Sequence, residues 1–264
     1  MSTWYDVTIR LLGPLALVRG AEAIPVPGQR QRRFFASLAL HAGQVVSKER
    51  ISEDSWDDEP PLTVSGQLQT SAWMIRRVLE RAGLPRETLG SHESGYELRA
   101  PQDAVDLFVF RDAVRQARSD YALGRHREAS ERLNTALGLW KGSAFPDVTS
   151  TRLRQKAEML EEERKAAFEL RALIDIDLGH YAEAITRLSE LVDHDPFRED
   201  LYAGLMRAYY AEGRQADAIQ VYHQAKKMLR EHIGINPGTR MMNVMQAILR
   251  QDERLLQVGN PEMR

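Results

Sequence analysis

The sequence of 264 residues contains no cysteine, which excludes disulfide bonds, thiol nucleophiles and thiolate metal sites together. This composition suits a reducing compartment, and we expect a cytoplasmic protein. Acidic and basic residues nearly balance over the whole sequence, with a formal net charge of −2. The first residues include Asp6 and Arg10 and no long apolar run, so we expect neither a signal peptide nor a membrane span.

Motifs of enzymes are also scarce. The chain has no glycine-rich phosphate loop and no nucleophile elbow. Asp193, His194 and Asp195 could ligate a metal, but they come just before Pro196, where polar turn residues are expected in any case. We therefore predict a protein that is not an enzyme, with no catalytic residue, no metal and no cofactor.

An internal repeat is the clearest positive feature. The segments that begin at Gly179 and Gly213 share small and apolar positions and lie 34 residues apart, which is the tetratricopeptide period. A fainter copy begins at Gly124, one period plus 21 residues before Gly179. We assign this insertion to a loop around Pro146 and to extra turns of the helix that contains residues 152–164.

The repeats predict stacked helical hairpins with a groove for a protein partner. A last helix at about Thr239–Leu249 should cap the open end of the stack. The alternative is a set of ordinary amphipathic helices whose glycines coincide in register.

Before the repeats the sequence changes to short β-rich runs, then helical spacing, then a hairpin. The runs at residues 7–11, 15–18 and 23–26 predict a small antiparallel sheet. Three helices follow. The first contains Phe34, Leu38 and His41 along one side and ends at Gly43. The second spans residues 48–56 with Ser47 as its N-cap, and the third lies near residues 64–81. Residues 89–91 and 96–99 predict the hairpin.

This order is that of a winged helix-turn-helix, in which the third helix enters the major groove of DNA. We therefore predict an α+β winged helix-turn-helix domain at residues 1–103 and an all-α tetratricopeptide-like domain at 104–264. Residues 100–103 should be a short connector with few crossing contacts, so that residues 104–264 fold alone.

The predicted third helix has one side suited to bases and phosphates, because amide and hydroxyl groups pair with base edges and arginine pairs with guanine or phosphate. This exposed side should carry Gln69, Thr70, Trp73, Arg76 and Arg77. The alternative is a solvated helix face that happens to bear two arginines.

Further candidate DNA contacts come from other parts of the predicted winged domain. They are Arg30, Arg32 and Arg33 ahead of the first helix, Lys48 and Arg50 at the start of the second, and His92 in the hairpin. The acidic and basic residues of this domain nearly balance, so a single copy should bind DNA weakly. We expect a dimer or a cooperative assembly on repeated sites.

An ordered series of short stretches resembles the Streptomyces antibiotic regulatory protein (SARP) family, which joins an OmpR-type winged helix to a bacterial transcriptional activation domain. The stretches are Gln29-Arg-Gln-Arg-Arg33, Gly43-Gln-Val-Val-Ser-Lys48, Gly95-Tyr-Glu-Leu98, Val105-Asp-Leu-Phe108, Ala136-Leu-Gly-Leu-Trp140, Asp195-Pro-Phe-Arg-Glu199, Met206-Arg-Ala-Tyr-Tyr-Ala-Glu-Gly213 and Ile233-Gly-Ile-Asn-Pro-Gly238. The recognition helix of the family usually reads Val-Ser-Arg-Leu-Arg-Arg, whereas this chain has Ala72-Trp-Met-Ile-Arg-Arg77.

The resemblance implies a sequence-specific DNA-binding activator of an antibiotic biosynthetic gene cluster. Such a protein would bind direct repeats of double-stranded DNA beside a promoter and recruit RNA polymerase, in part through the sigma factor. In OmpR-type domains the loop before the third helix faces the polymerase. That loop contains Asp57, Asp58 and Glu59, whose charge would suit a basic partner. The alternative for these three residues is an ordinary soluble turn.

A second function class stays open on the sequence alone. In it the winged helix has lost DNA affinity, and the chain is a repeat-based adaptor that binds another regulator. DNA affinity measured against salt concentration discriminates the two classes.

Overall fold

The computed structural model describes residues 4–56, 61 and 63–252. Its contacts divide the chain into two compact units. The first unit consists of Met1–Ala113 and Thr135–Glu163, and the second of Val114–Asn134 and Arg164–Arg264. These limits differ from the division predicted between residues 103 and 104, because parts of the predicted repeat domain fall in the first unit. Independent folding of residues 104–264 stays a prediction.

The first unit begins with the predicted antiparallel sheet. Its strands are β1 (Val7–Arg10), β2 (Ala16–Arg19) and β3 (Glu22–Pro25), in the order β1-β2-β3. Ile9 lies opposite Leu17, and Leu17 lies opposite Ile24. All three side chains are buried, so the alternation of apolar residues along the strands sets the pairing register.

The winged part of this unit contains three helices and a second sheet. Its elements are α1 (Gln29–Ala39), β4 (Val45–Ser47), α2 (Lys48–Trp56), α3 (Val64–Arg81), β5 (Leu89–Ser91) and β6 (Gly95–Leu98). The second sheet has the order β4-β6-β5 and is antiparallel. The predicted hairpin is β5-β6, whereas β4 was not predicted, because three residues are too few for a periodic pattern and its partner lies about 50 residues away.

The helices α1, α2 and α3 pack around a common apolar core. Phe34 of α1, Ile51 of α2 and Ile75 of α3 are fully buried, and the Phe34 ring meets the ring of Tyr96 edge to face with centroids 5.2 Å apart. The backbone N–H of Arg50 donates to the Ser47 hydroxyl at 3.1 Å, as an N-cap requires. The winged helix fold predicted from the order of elements is confirmed.

Three further helices follow and contribute to both units: α4 (Asp106–Ala122), α5 (His126–Gly138) and α6 (Thr151–Asp177). Within the first unit the loop between α5 and α6 pairs with the end of β1. The N–H of Lys141 donates to the carbonyl of Leu12 at 2.7 Å, and the N–H of Phe145 donates to that of Leu11 at 3.0 Å. The predicted insertion is therefore part of the first unit.

Asp106, at the start of α4, closes the same end of β1. Its carboxylate accepts the backbone N–H groups of Leu11 at 2.8 Å and Leu12 at 3.0 Å. Burial raises the pKa of Asp106 to about 6, although these hydrogen bonds act in the opposite direction. The start of α4 is thus fixed to the first sheet.

A buried ion pair fixes the first half of α6 to α2. The fully buried Asp54 carboxylate accepts the Ser37 hydroxyl at 2.7 Å and the Lys156 ammonium at 3.1 Å. Nearby, Arg152 donates to Glu53 at 3.1 Å. Because a buried carboxylate is stable as an ion only with such partners, Lys156 is an integral part of this core.

The second unit contains the remaining helices α7 (Tyr181–His194), α8 (Glu199–Ala211), α9 (Gln215–His232) and α10 (Thr239–Leu249). Gly124, Gly179 and Gly213 each end the first helix of a hairpin with a positive φ, between 74° and 82°. This left-handed conformation favours glycine and confirms the predicted register of the repeats. Helix α10 packs against α8 and α9, as predicted for a cap.

Charged side chains join helices within and between the hairpins of the second unit. The buried Asp175 of α6 accepts Arg171 at 3.0 Å and Arg187 of α7 at 3.2 Å. Arg171 also donates to the carbonyl of Ser130 on α5 at 3.0 Å. No helix within residues 4–56 and 63–252 is long and apolar enough to cross a membrane.

Candidate nucleic-acid interface

Helix α3 has one buried and one exposed side, as its sequence predicts. Leu68, Ala72, Ile75 and Leu79 are buried. The exposed side carries Gly66, Gln69, Thr70, Trp73 and Arg77, and we call these five residues the α3 face. The Thr70 hydroxyl donates to the carbonyl of Gly66 at 2.9 Å, within the helix itself. Gln69 makes no side-chain hydrogen bond with the part of the chain that the structure describes.

The side chain of Arg76 is half-buried, so the prediction that it lies on the exposed side of α3 is wrong. Its Nε and Nη2 atoms donate to the carbonyl of Leu89 on β5 at 3.1 and 2.9 Å. Nη2 also donates to the Ser91 hydroxyl at 2.8 Å. The side chain turns towards β5 because that strand end leaves a carbonyl unpaired beside the helix, and arginine offers several donors in one plane. Arg76 thus joins α3 to the hairpin.

Trp73 and Arg77 form a pair on the α3 face. They are four residues apart, so they lie one turn from each other on the same side of the helix. The guanidinium carbon of Arg77 is 5.0 Å from the centroid of the Trp73 ring, within the range of a cation–π contact. Trp73 is 48% exposed, which is unusual for a tryptophan that serves only a core.

The hairpin β5-β6 carries its own charged group. His92 Nε2 is 2.9 Å from a carboxylate oxygen of Glu97, and Arg99 Nε donates to the same oxygen at 3.0 Å. Hydrogen bonds from Arg99 and then His92 lower the pKa of Glu97 below its ordinary value. His92 is therefore engaged inside the hairpin, and Arg99 is a half-exposed cation there that the sequence analysis did not single out.

A glycine and a lysine fix the hairpin to α2. A Cβ atom on Gly95 would lie 1.9 Å from the carbonyl oxygen of Val46, so only glycine permits the close pairing of β6 with β4. The Lys48 ammonium donates to the carbonyl of Glu93 at 2.7 Å. The hairpin, α2 and α3 are thereby held in one arrangement.

The predicted basic cluster of Arg30, Arg32 and Arg33 lies inside α1 rather than ahead of it, because the helix begins at Gln29. Arg32 Nε donates to the carbonyl of Val26 at 2.9 Å. Arg33 donates to the carbonyl of Ser55 at 2.7 Å and to the hydroxyl of Thr149 at 2.9 Å. These two guanidinium groups are engaged by the fold.

The other candidates differ in their surroundings. Arg30 is exposed, and its guanidinium group makes no hydrogen bond or ion pair with the described residues. Arg50 lies 3.7 Å from a carboxylate oxygen of Asp54. The polymerase candidates Asp57, Asp58 and Glu59 lie outside the described residues. Among the residues described, no group of three or more histidine, aspartate or glutamate side chains could hold a metal ion.

Comparison with known proteins gives consistent results over nearly the whole chain. The family model for the bacterial transcriptional activator domain matches residues 105–249. The chain is 32% identical over 245 residues to regulatory protein AfsR of Streptomyces griseus, covering 93% of this chain and 25% of AfsR. It is 30% identical over 251 residues to regulatory protein DnrI of Streptomyces peucetius, with 92% of each chain covered.

A solved structure is similar over the same extent. Mycobacterium tuberculosis EmbR, in complex with a low affinity phosphopeptide, superimposes with a TM-score of 0.89 at 28% identity. The match covers 93% of this chain and 65% of the EmbR chain. The relatives thus range from proteins of almost the same extent to AfsR, of which this chain spans about a quarter.

Proposed function

Because this chain belongs to the SARP family of transcriptional regulators, we propose that it is a sequence-specific DNA-binding activator of an antibiotic biosynthetic gene cluster. The α3 face would enter the major groove, and the hairpin β5-β6 would meet the phosphates or a neighbouring groove. Proteins of this family regulate transcription. For this chain we propose in addition that it binds a specific DNA sequence and recruits RNA polymerase.

The observation that supports this assignment is the α3 face itself. It places an amide, an exposed indole ring and a guanidinium group along one side of a helix, and Gln69 and Arg77 have no internal hydrogen-bond partner among the described residues. Amide and guanidinium groups are those that read base edges.

Binding should occur as two or more copies on a direct repeat. Arg32, Arg33 and Arg76 are used inside the protein, so one copy offers few cations to phosphates, and each phosphate contact contributes to affinity. Neighbouring half-sites would raise the effective concentration of the second copy.

The test is footprinting of the full chain on DNA from upstream of the neighbouring biosynthetic genes, with affinity measured as a function of salt. We expect protection of a repeated sequence and a binding constant that falls as salt rises. Arg77→Ala should weaken specific binding by about 1–3 kcal/mol. Arg230→Ala is the matched control, since Arg230 is also an exposed helical arginine but lies on α9, and it should bind as the wild type does.

The engagement of Arg32, Arg33 and Arg76 by the fold also favours a second candidate, the repeat-based adaptor. Fewer free cations mean a weaker attraction to the DNA backbone. If the wild type binds no DNA even at low salt, the activator assignment is wrong and the adaptor is favoured.

For the polymerase, we infer contact through Asp57, Asp58 and Glu59, whose three carboxylates would repel DNA and attract a basic sigma-factor surface. Replacing them together by asparagine, asparagine and glutamine should leave operator affinity intact and lower transcription in a reconstituted assay. Equal transcription from the triple variant would move the contact to another part of the chain.

A further inference from the structure

The pair Trp73 and Arg77 has a chemistry that differs from the rest of the α3 face. Trp73 presents an apolar ring, while the adjacent groups at Gln69 and Arg77 are hydrogen-bonding groups. Nearly half of the tryptophan surface is exposed to solvent. Apolar area that stays in contact with water is unfavourable in free energy. On a helix that enters the major groove, such a ring needs an apolar partner.

Bases offer one apolar group to the major groove, the C5-methyl of thymine. The other groups that distinguish the bases there are hydrogen-bond donors or acceptors, which an indole ring would desolvate without compensation, and the C5–H of cytosine offers less apolar surface than the thymine methyl group. An exposed tryptophan at this position therefore favours thymine over cytosine, adenine or guanine.

Arg77 is held in a defined place by the same ring. Its guanidinium group lies against Trp73 at 5.0 Å, and no carboxylate or carbonyl of the described residues competes for it by hydrogen bonding. Arg76 cannot replace it, because its donors are directed at Leu89 and Ser91 of β5. A planar guanidinium in the major groove pairs with O6 and N7 of guanine.

The spacing of the two side chains limits how far apart the two bases can be. Positions four apart on a helix are separated by about 6 Å along its axis. Base pairs follow each other at about 3.4 Å. The two contacted bases should thus be adjacent or separated by one base pair.

We propose that Trp73 is a specificity-determining residue that reads a thymine methyl group, one or two base pairs from a guanine read by Arg77. This inference rests on the proposed function, since it requires that the α3 face meets DNA. It assigns to the chain an operator feature, a thymine close to a guanine in every half-site.

The test begins with selection of operators from a random double-stranded DNA pool by the full-length protein. In the selected operator each thymine is then replaced in turn by uracil, which lacks only the methyl group. We expect one thymine per half-site to be sensitive, with affinity lowered about fourfold, as the burial of one methyl group predicts. In Trp73→Ala the same replacement should have no effect, since the contact is already gone.

Two variants serve as controls. Gln69→Ala changes a neighbouring residue of the same face and should keep the full uracil effect. Trp73→Phe retains an aromatic apolar ring and should keep part of it. Thermal unfolding of each variant verifies that it is folded, which is expected because both side chains lie on the exposed side of α3.

The guanine is tested in the same operator with 7-deazaguanine, which lacks the N7 acceptor. This base should weaken binding of the wild type tenfold or more at one position, one or two base pairs from the sensitive thymine, and should leave binding by Arg77→Ala unchanged. Two results would overturn the assignment of Trp73 without contradicting DNA binding. In the first, no thymine of the selected operators is sensitive to uracil replacement; in the second, Trp73→Ala is as sensitive to the replacement as the wild type. Failure to enrich any sequence would overturn the proposed function together with it.

Discussion

The start of α1 and the α3 face both carry arginines, yet the fold uses them in opposite ways. At the start of α1, Arg32 and Arg33 donate to backbone carbonyls of Val26 and Ser55. On the α3 face, Arg77 lies over the ring of Trp73 and makes no hydrogen bond or ion pair with the residues that the structure describes. Both segments are basic in sequence, so charge alone does not distinguish a structural arginine from one that is available to a ligand.

The distinction comes from the carbonyl groups that surround each guanidinium. The ends of secondary-structure elements, such as α2 and β5, leave carbonyl oxygens without a backbone partner. An arginine side chain can donate hydrogen bonds to these oxygens. Arg77 makes no hydrogen bond to such a carbonyl among the described residues, and its guanidinium remains exposed. Substitutions at five positions, with two controls, test this difference and the packing around it, beginning with the largest expected effect.

Lys156 extends the comparison to a partly buried cation of the first unit, which is paired with a buried carboxylate. Replacing it with methionine leaves the carboxylate of Asp54 buried without its ammonium partner, and the free energy of unfolding should fall by about 3–5 kcal/mol. Urea unfolding measures this change. Lys227→Met, at an exposed position on α9, should change it by less than about 0.5 kcal/mol. A similar loss in both variants would contradict the role of the buried pair.

Asp106 tests the same principle for an anion, through pH. Its pKa is about 6 in the folded protein and near 3.8 when the chain is unfolded, so between these values the folded state binds more protons than the unfolded state. The contribution of Asp106 to the free energy of unfolding therefore decreases as pH rises from about 4 to 6, by up to about 3 kcal/mol. The difference in unfolding free energy between wild type and Asp106→Asn should vary over this range. A difference independent of pH would show that burial does not disfavour the carboxylate.

Arg33 and Arg77 test the comparison directly. Arg33→Ala removes hydrogen bonds to Ser55 and Thr149 and should lower the free energy of unfolding by about 2 kcal/mol. Arg77→Ala should change stability by less than about 0.5 kcal/mol. DNA affinity should show the reverse order. If Arg33→Ala unfolds like the wild type and binds DNA more weakly, the two arginines have the same role.

Gly66 gives the smallest effect and concerns the backbone of the α3 face. A Cβ atom there would meet nothing within 4 Å, so alanine fits and is the better helix former. Gly66→Ala should raise the free energy of unfolding by up to about 1 kcal/mol, measured by thermal or urea unfolding. Gly95→Ala is the contrasting control, since its Cβ would clash with β4 and should destabilise the fold. Destabilisation by Gly66→Ala would mean that the helix needs glycine at this point.

Local patterns predicted most of the elements. The bounds of α2, α3 and α10 and the register of the repeats follow from caps, apolar spacing and glycines at helix ends, all of which act over a few residues. The exposed side of α3 was predicted in the same way, apart from Arg76. That side chain depends on a carbonyl of β5, which is 13 residues away along the chain and adjacent only in the fold.

The division of the chain could not be predicted from local patterns. Residues 135–163 begin in the last turn of α5, within the first repeat, yet they pack in the first unit through Lys141, Phe145 and Lys156. Their partners are Leu11 and Leu12 at the end of β1 and Asp54 of α2, about 100 or more residues earlier. No periodicity records such pairings, because two partners are backbone carbonyls, which every residue carries, and the third is a carboxylate that only folding brings beside Lys156.

By itself the sequence determined the type of each long element and, apart from Arg76, the residues that α3 turns outward, because helical periodicity and capping are local properties of the chain. Tertiary structure decided which of the basic residues remain available. Arg32, Arg33, Arg76 and Lys156 meet carbonyls or a carboxylate that folding brings beside them, and Arg77 meets an indole ring one turn away. A cation's role depends on the acceptors within about 3 Å of it, and long-range packing alone supplies or withholds those acceptors.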